Sequence, residues 1–503
     1  MGLIGTIATA TATAALVHAV FTYLTSSTKS LPGPLAAKFT HLWRFIQVYK
    51  GRIHETQRHL HAQYGAVVCL GPDCLSISDP ALIKSIYANR SWIKSRYYTT
   101  SDIRVGNEIQ RSSFSTPDEN EHSLWIRPVN KYFQTHQVLR YEATMSKPIV
   151  HILDRLNDFA SGSKPCPMDK WLQFLAWDIM GQTTFSAEFG FLRTGADFEN
   201  CISHSEQAHD YVALIGQIPF LDRLLDKNPV VRIGPPTFSA AIAFAAKQYH
   251  RRVNGEDKHD PVKSRDFLDD FLHEKEMDDQ IDDTTVIQWL IRNILPGTDT
   301  VAIELRAIVY YLCKHPNAQQ KLQQELDTTT FATWPPAYKE VQHLPYLEAV
   351  ITEACRLHPA ISLSLERIVP AEGYTLPDGK FLPPGTIVGI NPAVAGRHRP
   401  TFGEDADEFR PERWLQQGGE DEAAFKSRVA RLKDAEFVFG FGKRCCPGRS
   451  LALVEIFKIV SALYITYDIS LVDPEKEWKI RNSWLVRQWD MDVVLKRRKN
   501  MRV

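Results

Sequence analysis

The most informative stretch of the chain is Phe439-Gly440-Phe441-Gly442-Lys443-Arg444-Cys445-Cys446-Pro447-Gly448, which directly precedes a helical run at Arg449–Ile465. A cysteine just before a helix start lies among free backbone N–H groups and at the positive end of the helix dipole. Both lower the pKa of a thiol and favour the thiolate. The glycines permit tight turns and the close approach of a flat ligand, and Arg444 can neutralise a carboxylate on it.

Two other interpretations of this loop are disfavoured. Gly440-x-Gly442-x-x-Cys445 nearly matches a dinucleotide-binding fingerprint, but its third glycine is missing and it lies too late in the chain. Zinc is disfavoured because Cys445 and Cys446 are adjacent and no second pair of cysteines accompanies them. The eight cysteines are otherwise scattered, which argues against a disulfide framework and favours buried thiols in a reducing compartment.

Composition is that of a globular protein. The chain has 503 residues, of which 44% are hydrophobic and 23% charged, and this excludes a disordered chain. The 59 basic and 59 acidic residues cancel, which argues against a nucleic-acid binder. No internal repeat and no clean boundary interrupts residues 40–500. We therefore expect one large domain, mainly α-helical with small β-sheets.

Local patterns predict the main elements. Ala62–Ser78 predicts a β-hairpin around Gly71-Pro72-Asp73, and Ile387–Ile390 predicts a strand. The longest helical candidate is Val286–Cys313, whose N-terminal cap comes from Asp282-Asp283-Thr284. Within this apolar helix lies the polar run Thr298-Asp299-Thr300. Polar side chains there are costly unless they face water, a partner or a site, so a functional site and a kink with capping side chains are both open interpretations of this run.

The N-terminus predicts a membrane anchor. Leu3–Leu24 carries no charge and spans about 33 Å as a helix, against about 30 Å of hydrocarbon. A signal peptide lacks its basic region here, and a buried soluble helix remains an alternative. Lys29, Lys38 and Arg44 follow and favour a cytosolic downstream chain, while Leu31-Pro32-Gly33-Pro34 predicts a stiff hinge. The expected parts are an anchor at 1–28, a proline-rich hinge at 29–39 and a globular domain at 40–503.

The pattern Phe439-x-x-Gly442-x-Arg444-x-Cys446-x-Gly448 resembles the heme-binding loop of cytochromes P450, the heme-thiolate monooxygenases. The resemblance covers about residues 30–500 and implies a single cytochrome P450 fold. It implies heme b with Cys446, rather than Cys445, as the axial thiolate ligand of the iron. Gly216–Pro229 looks like fungal microsomal members, including pisatin-demethylase-like enzymes of specialised metabolism. The loop residues that the resemblance assigns to the cofactor are Phe439, Gly442, Arg444, Cys446 and Gly448.

Further matches imply a buried charge network. Glu353-Ala-Cys-Arg356 resembles the family's E-x-x-R pair, and the i, i+3 spacing puts both charges on one helix face. Phe409-Arg410-Pro411-Glu412-Arg413-Trp414 resembles the segment whose arginine, here Arg413, completes the network. Phe381–Ile390 looks like the strand pair before that segment. We expect Glu353, Arg356 and Arg413 to be structural.

Pro296–Val301 resembles the oxygen-activating stretch of the family's long central helix. The resemblance implies that Thr300 hydrogen-bonds dioxygen and that Asp299 relays protons from solvent. The alternative is that the Thr300 hydroxyl simply bonds back to a helix carbonyl. Pro296 stands where the family usually has Ala or Gly. It removes an amide hydrogen and frees the carbonyl of Arg292, so we expect a stiff kink here.

Contacts to the heme propionates are expected from Arg444, Arg367 and His122. His122 stands where the family often has Trp or His on an early helix, but Ile126 occupies the position that is usually Arg four residues later. The neighbouring Arg127 offers a substitute at a different angle. Surface placement of His122 and Arg127 is the alternative.

The implied function is insertion of one oxygen atom of O2 into a hydrophobic small molecule by hydroxylation, epoxidation or multistep oxidation. No flavin or nicotinamide motif occurs in the chain, so the resemblance implies electrons from NADPH–cytochrome P450 reductase. It also implies the endoplasmic reticulum membrane, with a single-pass anchor and a cytosolic catalytic domain. Lys443 and Arg449 are candidates for facing the reductase, or form a solvated charged surface.

Two other functions stay open. One is a heme-thiolate isomerase or dehydratase that needs no reductase, although such enzymes generally lose the acid–alcohol pair that this chain keeps. The other is a non-enzymatic heme sensor or carrier. A set of apolar residues predicts a medium-sized hydrophobic ligand, or forms ordinary core. They are Val212, Leu214, Ile291, Ile361, Leu363, Trp484 and Leu485.

Overall fold

The computed structural model describes residues 2–105, 108–162, 164–235 and 238–499. Helical residues make up 57% of the structure, which confirms the mainly α-helical class. In chain order the helices are α1 (Gly2–Thr25), α2 (Leu42–Tyr49), α3 (Ile53–Tyr64), α4 (Ile83–Tyr87), α5 (Glu119–Asn130), α6 (Thr135–Val138), α7 (Glu142–Ser161), α8 (Met168–Phe185), α9 (Phe191–Thr194), α10 (Cys201–Ile215), α11 (Phe220–Leu224), α12 (Ser239–Val253), α13 (Phe267–Met277), α14 (Asp283–Lys314), α15 (Pro316–Thr328), α16 (Tyr338–Val341), α17 (Pro345–Leu357), α18 (Pro392–Ala395), α19 (Arg399–Phe402), α20 (Glu422–Asp434) and α21 (Arg449–Thr466). The strands are β1 (Val67–Gly71), β2 (Cys74–Ile77), β3 (Ile103–Val105), β4 (Glu108–Gln110), β5 (Cys166–Pro167), β6 (Arg367–Ile368), β7 (Tyr374–Thr375), β8 (Phe381–Leu382), β9 (Ile387–Ile390), β10 (Tyr467–Leu471), β11 (Lys479–Ser483), β12 (Leu485–Trp489) and β13 (Asp492–Arg497).

The strands form several small sheets. One has the order β1-β2-β9-β6, a second the order β10-β13-β5, and the pairs β11-β12, β3-β4 and β7-β8 stand apart. The hairpin predicted for Ala62–Ser78 is confirmed: β1 and β2 pair antiparallel, and Asp73 turns the chain with a φ of 53°. The strand predicted at Ile387–Ile390 is confirmed as β9. The strand pair expected within Phe381–Ile390 is not formed, because β8 pairs with β7 while β9 pairs with β2 and β6.

The centre of the fold is α14, a helix of 32 residues. Asp282 caps it by accepting a hydrogen bond from the Thr285 backbone N–H at 2.8 Å, as the sequence predicts. The helix continues through Pro296 without interruption, so the kink expected there does not divide it into two helices. It packs on α8, α12, α13, α17 and α21, and the largest apolar cluster of the described residues lies among these helices.

The N-terminal helix α1 is the one described helix that is long and apolar enough to cross a membrane, over Gly5–Thr25. Signal sequences and core helices of soluble proteins pass the same test. The segment after it, which contains the predicted stiff hinge, contacts strand β1. The Cys69 N–H donates to the Pro32 carbonyl at 2.8 Å, and a Cβ at Gly33 would lie 2.5 Å from the Cys69 carbonyl oxygen. Met1 and residues 500–503 of the predicted parts lie outside the described residues.

Candidate active site

The loop at Phe439–Gly448 is folded by its glycines. Gly440 and Gly442 both have a φ of 70°, a conformation that favours glycine. A Cβ at Gly442 would also lie 2.3 Å from the Tyr87 carbonyl oxygen, so only glycine fits there. The Cys446 N–H donates to the Phe439 carbonyl at 2.8 Å and closes the loop. The turn leaves Cys446 three residues ahead of the first residue of α21.

The Cys446 side chain is accessible even though protein surrounds most of it. Burial raises the pKa of this thiol to about 11, while the backbone N–H groups of Gly448 and Arg449 act in the opposite direction. The N–H donors that the sequence predicts are therefore present, but burial outweighs them in the protein alone. A metal cation removes that penalty, because thiol ligands bind metals as thiolates and release their protons.

One face of α14 is accessible at Pro296. Pro296 is exposed and Thr300 half-buried, although Asn293, Ile294 and Thr298 on other faces are buried. Residues four apart share a helix face, so Pro296 and Thr300 line the same opening. The Thr300 hydroxyl donates to the Pro296 carbonyl at 2.8 Å, which is the back-bonded arrangement that the sequence left as an alternative.

Asp299 faces a different set of neighbours from Thr300. The Asp299 side chain is buried, and its Oδ1 accepts a hydrogen bond from Gln173 on α8. Its Oδ2 accepts one from Ser205 on α10 and lies 3.8 Å from the Nδ1 of His209. Sequence reasoning missed these partners, because they come from helices distant in the chain and no motif marks them.

Glu353, Arg356 and Arg413 lie together, as expected. All three are at most 3% exposed. Arg356 donates twice to the Glu353 carboxylate, at 2.7 and 2.8 Å, and Arg413 donates once at 3.2 Å. Trp414, which the sequence analysis did not assign, donates from Nε1 to the same carboxylate at 2.9 Å. Asp405 then pairs with Arg413 at 2.9 Å, so the network is bonded on every side.

The residues expected to bind propionates form a cluster beside the loop. Arg444 donates to the Glu119 carboxylate at 2.7 Å, and the two ring nitrogens of His122 contact the carbonyls of Ser113 and Lys443 at 2.9 and 3.3 Å. The Arg367 guanidinium lies 4.9 Å above the Tyr87 ring. Arg127 is exposed, which corresponds to the surface placement considered as the alternative for it.

Lys94 belongs to this cluster and was missed from the sequence. Its side chain is buried, with Nζ 4.4 Å from the centre of the Tyr98 ring. Burial lowers the pKa of Lys94 well below its usual range, and the nearby Arg367 and Arg444 lower it further. Among the groups that act on Lys94, Glu119 alone is anionic. The donor groups of Lys94, Arg367 and Arg444 thus have one carboxylate among them, which leaves donors for further carboxylates.

Most of the apolar residues singled out in the sequence form one cluster. Leu363, Trp484 and Leu485 are buried within it, and Val212, Leu214 and Ile361 pack against it. Ile291 packs instead against the main core. Aromatic side chains that the sequence analysis did not predict complete the cluster: Tyr97 stacks on Trp484 with ring centres 5.4 Å apart, and Phe114 meets Trp484 edge-on at 5.8 Å.

Comparison with known proteins points to one family. The family model described as Cytochrome P450 matches residues 32–498. The chain is 37% identical over 498 residues to cytochrome P450 monooxygenase cfoH of Aspergillus candidus, which is 97% of this chain and 92% of that protein. It is 37% identical over 478 residues to cytochrome P450 monooxygenase cicH of Emericella nidulans, 93% of each protein. It is 35% identical to cytochrome P450 monooxygenase mpaDE of Penicillium roqueforti over 94% of this chain and 56% of that longer protein.

Members of this family bind heme b through an axial cysteine thiolate, and the donor set here fits that group. Cys446 offers an accessible sulfur with backbone N–H groups directed at it. The cluster of Lys94, Arg367 and Arg444 offers the cationic and N–H donor groups that bind carboxylates such as propionates. The open face of α14 at Pro296 leaves room on that side of the helix.

Proposed function

The chain belongs to the cytochrome P450 family, and we propose that it is a heme-thiolate monooxygenase that inserts one oxygen atom of O2 into a hydrophobic small molecule. Hydroxylation, epoxidation and multistep oxidation all fall within this proposal. The observation that carries it is the accessible thiol of Cys446, which receives the N–H groups of Gly448 and Arg449 at the start of α21. Cys446 is the axial ligand in this proposal, and Phe439, Gly442 and Gly448 shape the loop around it.

Bound heme supplies the iron chemistry that reduces O2 and cleaves its O–O bond with the help of thiolate donation. The residues of the chain place and hold the cofactor. Arg367, Arg444 and His122 bind the propionates, with Lys94 as a fourth donor, because all four groups lie on one side of the thiolate loop. A buried cation with too few anionic partners is destabilising on its own, so propionate binding relieves an existing strain.

Thr300 and Asp299 take part in proton transfer. The Thr300 hydrogen is directed at the Pro296 carbonyl at 2.8 Å, which leaves the oxygen lone pairs free to accept a hydrogen bond from the interior. Asp299 stores the next proton, held in place by Gln173 and Ser205. General acid catalysis of this kind contributes about 10²–10⁴-fold to a proton-dependent rate.

The Glu353–Arg356–Arg413 network is structural in this proposal. It joins α17 to the segment before the thiolate loop through charge-assisted hydrogen bonds in a dry environment. Its position supports a role in keeping the loop in the shape that accepts heme. None of the three side chains is accessible to a substrate.

The substrate proposed is a medium-sized apolar molecule of fungal specialised metabolism. The cluster around Tyr97, Phe114 and Trp484 supports an apolar or aromatic ligand, since ring faces bind flat apolar groups well. The relatives named above come from filamentous fungi, which supports the metabolic setting.

The electron donor proposed is NADPH–cytochrome P450 reductase, at the membrane of the endoplasmic reticulum. Helix α1 supports a single-pass anchor with a cytosolic catalytic domain. Lys443 and Arg449 are exposed next to the thiolate, so they support a basic docking surface for an acidic partner.

The test is the spectrum of the reduced protein with carbon monoxide, for wild type, Cys446→Ser and Cys445→Ser. A red-shifted Soret band that persists in Cys445→Ser and disappears in Cys446→Ser assigns the ligand. Reductase-dependent consumption of NADPH then separates a monooxygenase from an isomerase or a sensor. Absence of the band in folded, heme-loaded wild type would sink the proposal.

A further inference from the structure

The Asp299 side chain has two hydrogen-bonded neighbours among the described residues. The two differ in whether they can transfer a proton. Gln173 donates its amide N–H to Oδ1, while its own Oε1 accepts from Arg306 at 2.8 Å. An amide does not release its hydrogens at ordinary pH, and a guanidinium keeps its protons. The Gln173 side of Asp299 therefore orients the carboxylate and carries no protons.

The second neighbour, Ser205, connects Asp299 to a more exposed side chain. Ser205 donates to Oδ2 of Asp299, and its Oγ lies 3.4 Å from the Nδ1 of His209, one turn further along α10. The same Nδ1 lies 3.8 Å from Oδ2 of Asp299. A hydroxyl and an imidazole can each accept one proton while releasing another. The His209 side chain is 24% exposed, against 10% for that of Asp299, so it is the outer member of the series.

Charged groups surround His209 from three elements. Asp299 on α14 raises the pKa of His209, and so does Asp210 on its own helix. Burial and Arg487 on β12 lower that pKa, and the net direction is downward. Glu206 of α10 pairs with Arg487 at 3.3 Å. A protonated imidazole at this position is therefore transient near neutral pH, as a relay requires.

The Glu206 carboxyl does not offer an equivalent route. Its partner is Arg487 at 3.3 Å, a permanent cation that holds the carboxylate in an ion pair, and among the described residues no hydrogen bond joins the Glu206 side chain to Asp299 or Ser205. Arg481 on β11 lies 3.6 Å from Asp210, so Asp210 is held between two arginines. Both acids are held in ion pairs, whereas within the described part of the chain His209 pairs with Asp299 alone.

We propose that His209 and Ser205 form the solvent end of the proton route that reaches the oxygen-binding groove through Asp299. The inference rests on the proposed function. A proton on His209 passes from Nδ1 to the Ser205 oxygen as the Ser205 hydroxyl proton passes to Oδ2 of Asp299. His209 is left neutral and takes a new proton from water. Both residues act through Asp299, so they position and supply the acid rather than touching the reacting atoms.

The first experiment compares heme-loaded wild type, His209→Gln and His204→Gln with NADPH–cytochrome P450 reductase and no substrate. NADPH oxidation is followed from pH 5.5 to 8.5 in H2O and D2O. In His209→Gln we expect the rate to fall by about tenfold, less than the roughly 10²–10⁴-fold value of a complete acid–base group because water replaces part of the relay. We also expect a larger solvent isotope effect and a flatter pH profile. His204→Gln should keep the wild-type profile, since His204 makes no contact with Asp299.

Ser205→Ala and Ser205→Thr supply the rescue test. The alanine variant removes the hydroxyl between His209 and Asp299 and should resemble His209→Gln. Threonine restores a hydroxyl and should recover most of the rate of NADPH oxidation. The carbon monoxide band of each variant reports whether the heme site is intact. Superimposable pH profiles and isotope effects for wild type, His209→Gln and Ser205→Ala would overturn the proposal.

The second experiment measures the electrostatic coupling between His209 and Asp299 without turnover. The imidazole of His209 is titrated by ¹⁵N NMR in wild type and Asp299→Asn, with His209→Gln identifying its resonance. We expect the pKa of His209 to fall in Asp299→Asn, because the carboxylate raises it. An unchanged titration would refute the contact. If wild type lacks the thiolate band, the proposed function fails, while this titration still decides whether His209 and Asp299 are coupled.

Discussion

Arg444 of the thiolate loop donates from Nε to the Glu119 carboxylate at 2.7 Å, and this ion pair joins the loop to the first turn of α5. The same guanidinium donates to the carbonyls of Ser113 and Thr116, each at 3.0 Å. Glu119 thus pairs with one of the cations that the proposed function assigns to the propionates. The loop and the early helix are held together before the cofactor arrives.

Glu119→Gln should slow heme loss. The amide still accepts a hydrogen bond from Arg444, but it no longer competes with a propionate for its charge, which is worth roughly 1 kcal/mol or about fivefold in rate. Transfer of heme to apomyoglobin measures the effect. Glu121→Gln is the matched control, because Glu121 lies in the same turn and pairs with Arg111 instead. Faster loss in Glu119→Gln would mean that the pair orients Arg444 for binding.

Lys94→Met should stabilise the heme-free protein at neutral pH, by about 2 kcal/mol, while weakening heme retention. Burial holds the folded pKa of Lys94 well below its usual value, so the unfolded chain binds more protons between the two pKa values. Wild-type stability therefore rises with pH across that window, and the variant should lose this rise. Urea midpoints at pH 7 and 10 test it. An equal rise in Lys94→Met would contradict the assignment, and the exposed Lys433→Met serves as control.

Glu353→Ala should abolish heme incorporation. The substitution leaves Arg356 and Arg413 buried without their carboxylate, at a cost of about 3–5 kcal/mol. The ratio of Soret to protein absorbance measures occupancy. The control is Glu422→Ala on the exposed surface of α20, which removes the same charge and should leave heme incorporation unchanged. Full occupancy in Glu353→Ala would refute a structural role for the network.

Pro296→Ala should change the share of electrons that leaves as peroxide. Alanine restores an N–H that can bond the Arg292 carbonyl, which tightens the helix at the turn whose carbonyl accepts from Thr300. Peroxide released per NADPH consumed is the measurement. Pro316→Ala, at the first position of α15 where a missing N–H costs nothing, is the control. Equal peroxide yields would count against a role for Pro296.

Glu455→Gln should stabilise the protein above pH 5. Glu455 is fully buried, neither of its carboxylate oxygens has a hydrogen-bond partner among the residues that the structure describes, and burial raises its pKa to about 8. The folded state therefore holds a proton that the unfolded chain releases between about pH 4.5 and 8, and wild-type stability falls with rising pH in that window. The variant should lack this fall and gain a few kcal/mol at pH 8, on the order of 1.4 kcal/mol per pH unit. Urea midpoints from pH 5 to 8 decide it.

Sequence reasoning reached the parts of the site that depend on short spacings. Cys446 follows from a contiguous loop, and Glu353 with Arg356 follows from one helical turn. Lys94, Ser205 and His209 were missed because each meets its partner only after distant helices pack, and no spacing in the chain records that. The direction of the Cys446 pKa was also misjudged, since local N–H donors are visible in the sequence while burial is not.

Ser26 and Ser27, directly after α1, both donate to Oδ1 of Asp73, at 3.0 and 3.1 Å. Asp73 is the residue that turns the β1–β2 hairpin, so the end of α1 and the tip of the first sheet are joined at one carboxylate. A shortened protein prepared without the apolar helix should therefore begin no later than Ser26. Cutting at Lys29, where the charged chain starts, would strip this turn of its fastening and weaken the edge of the catalytic domain.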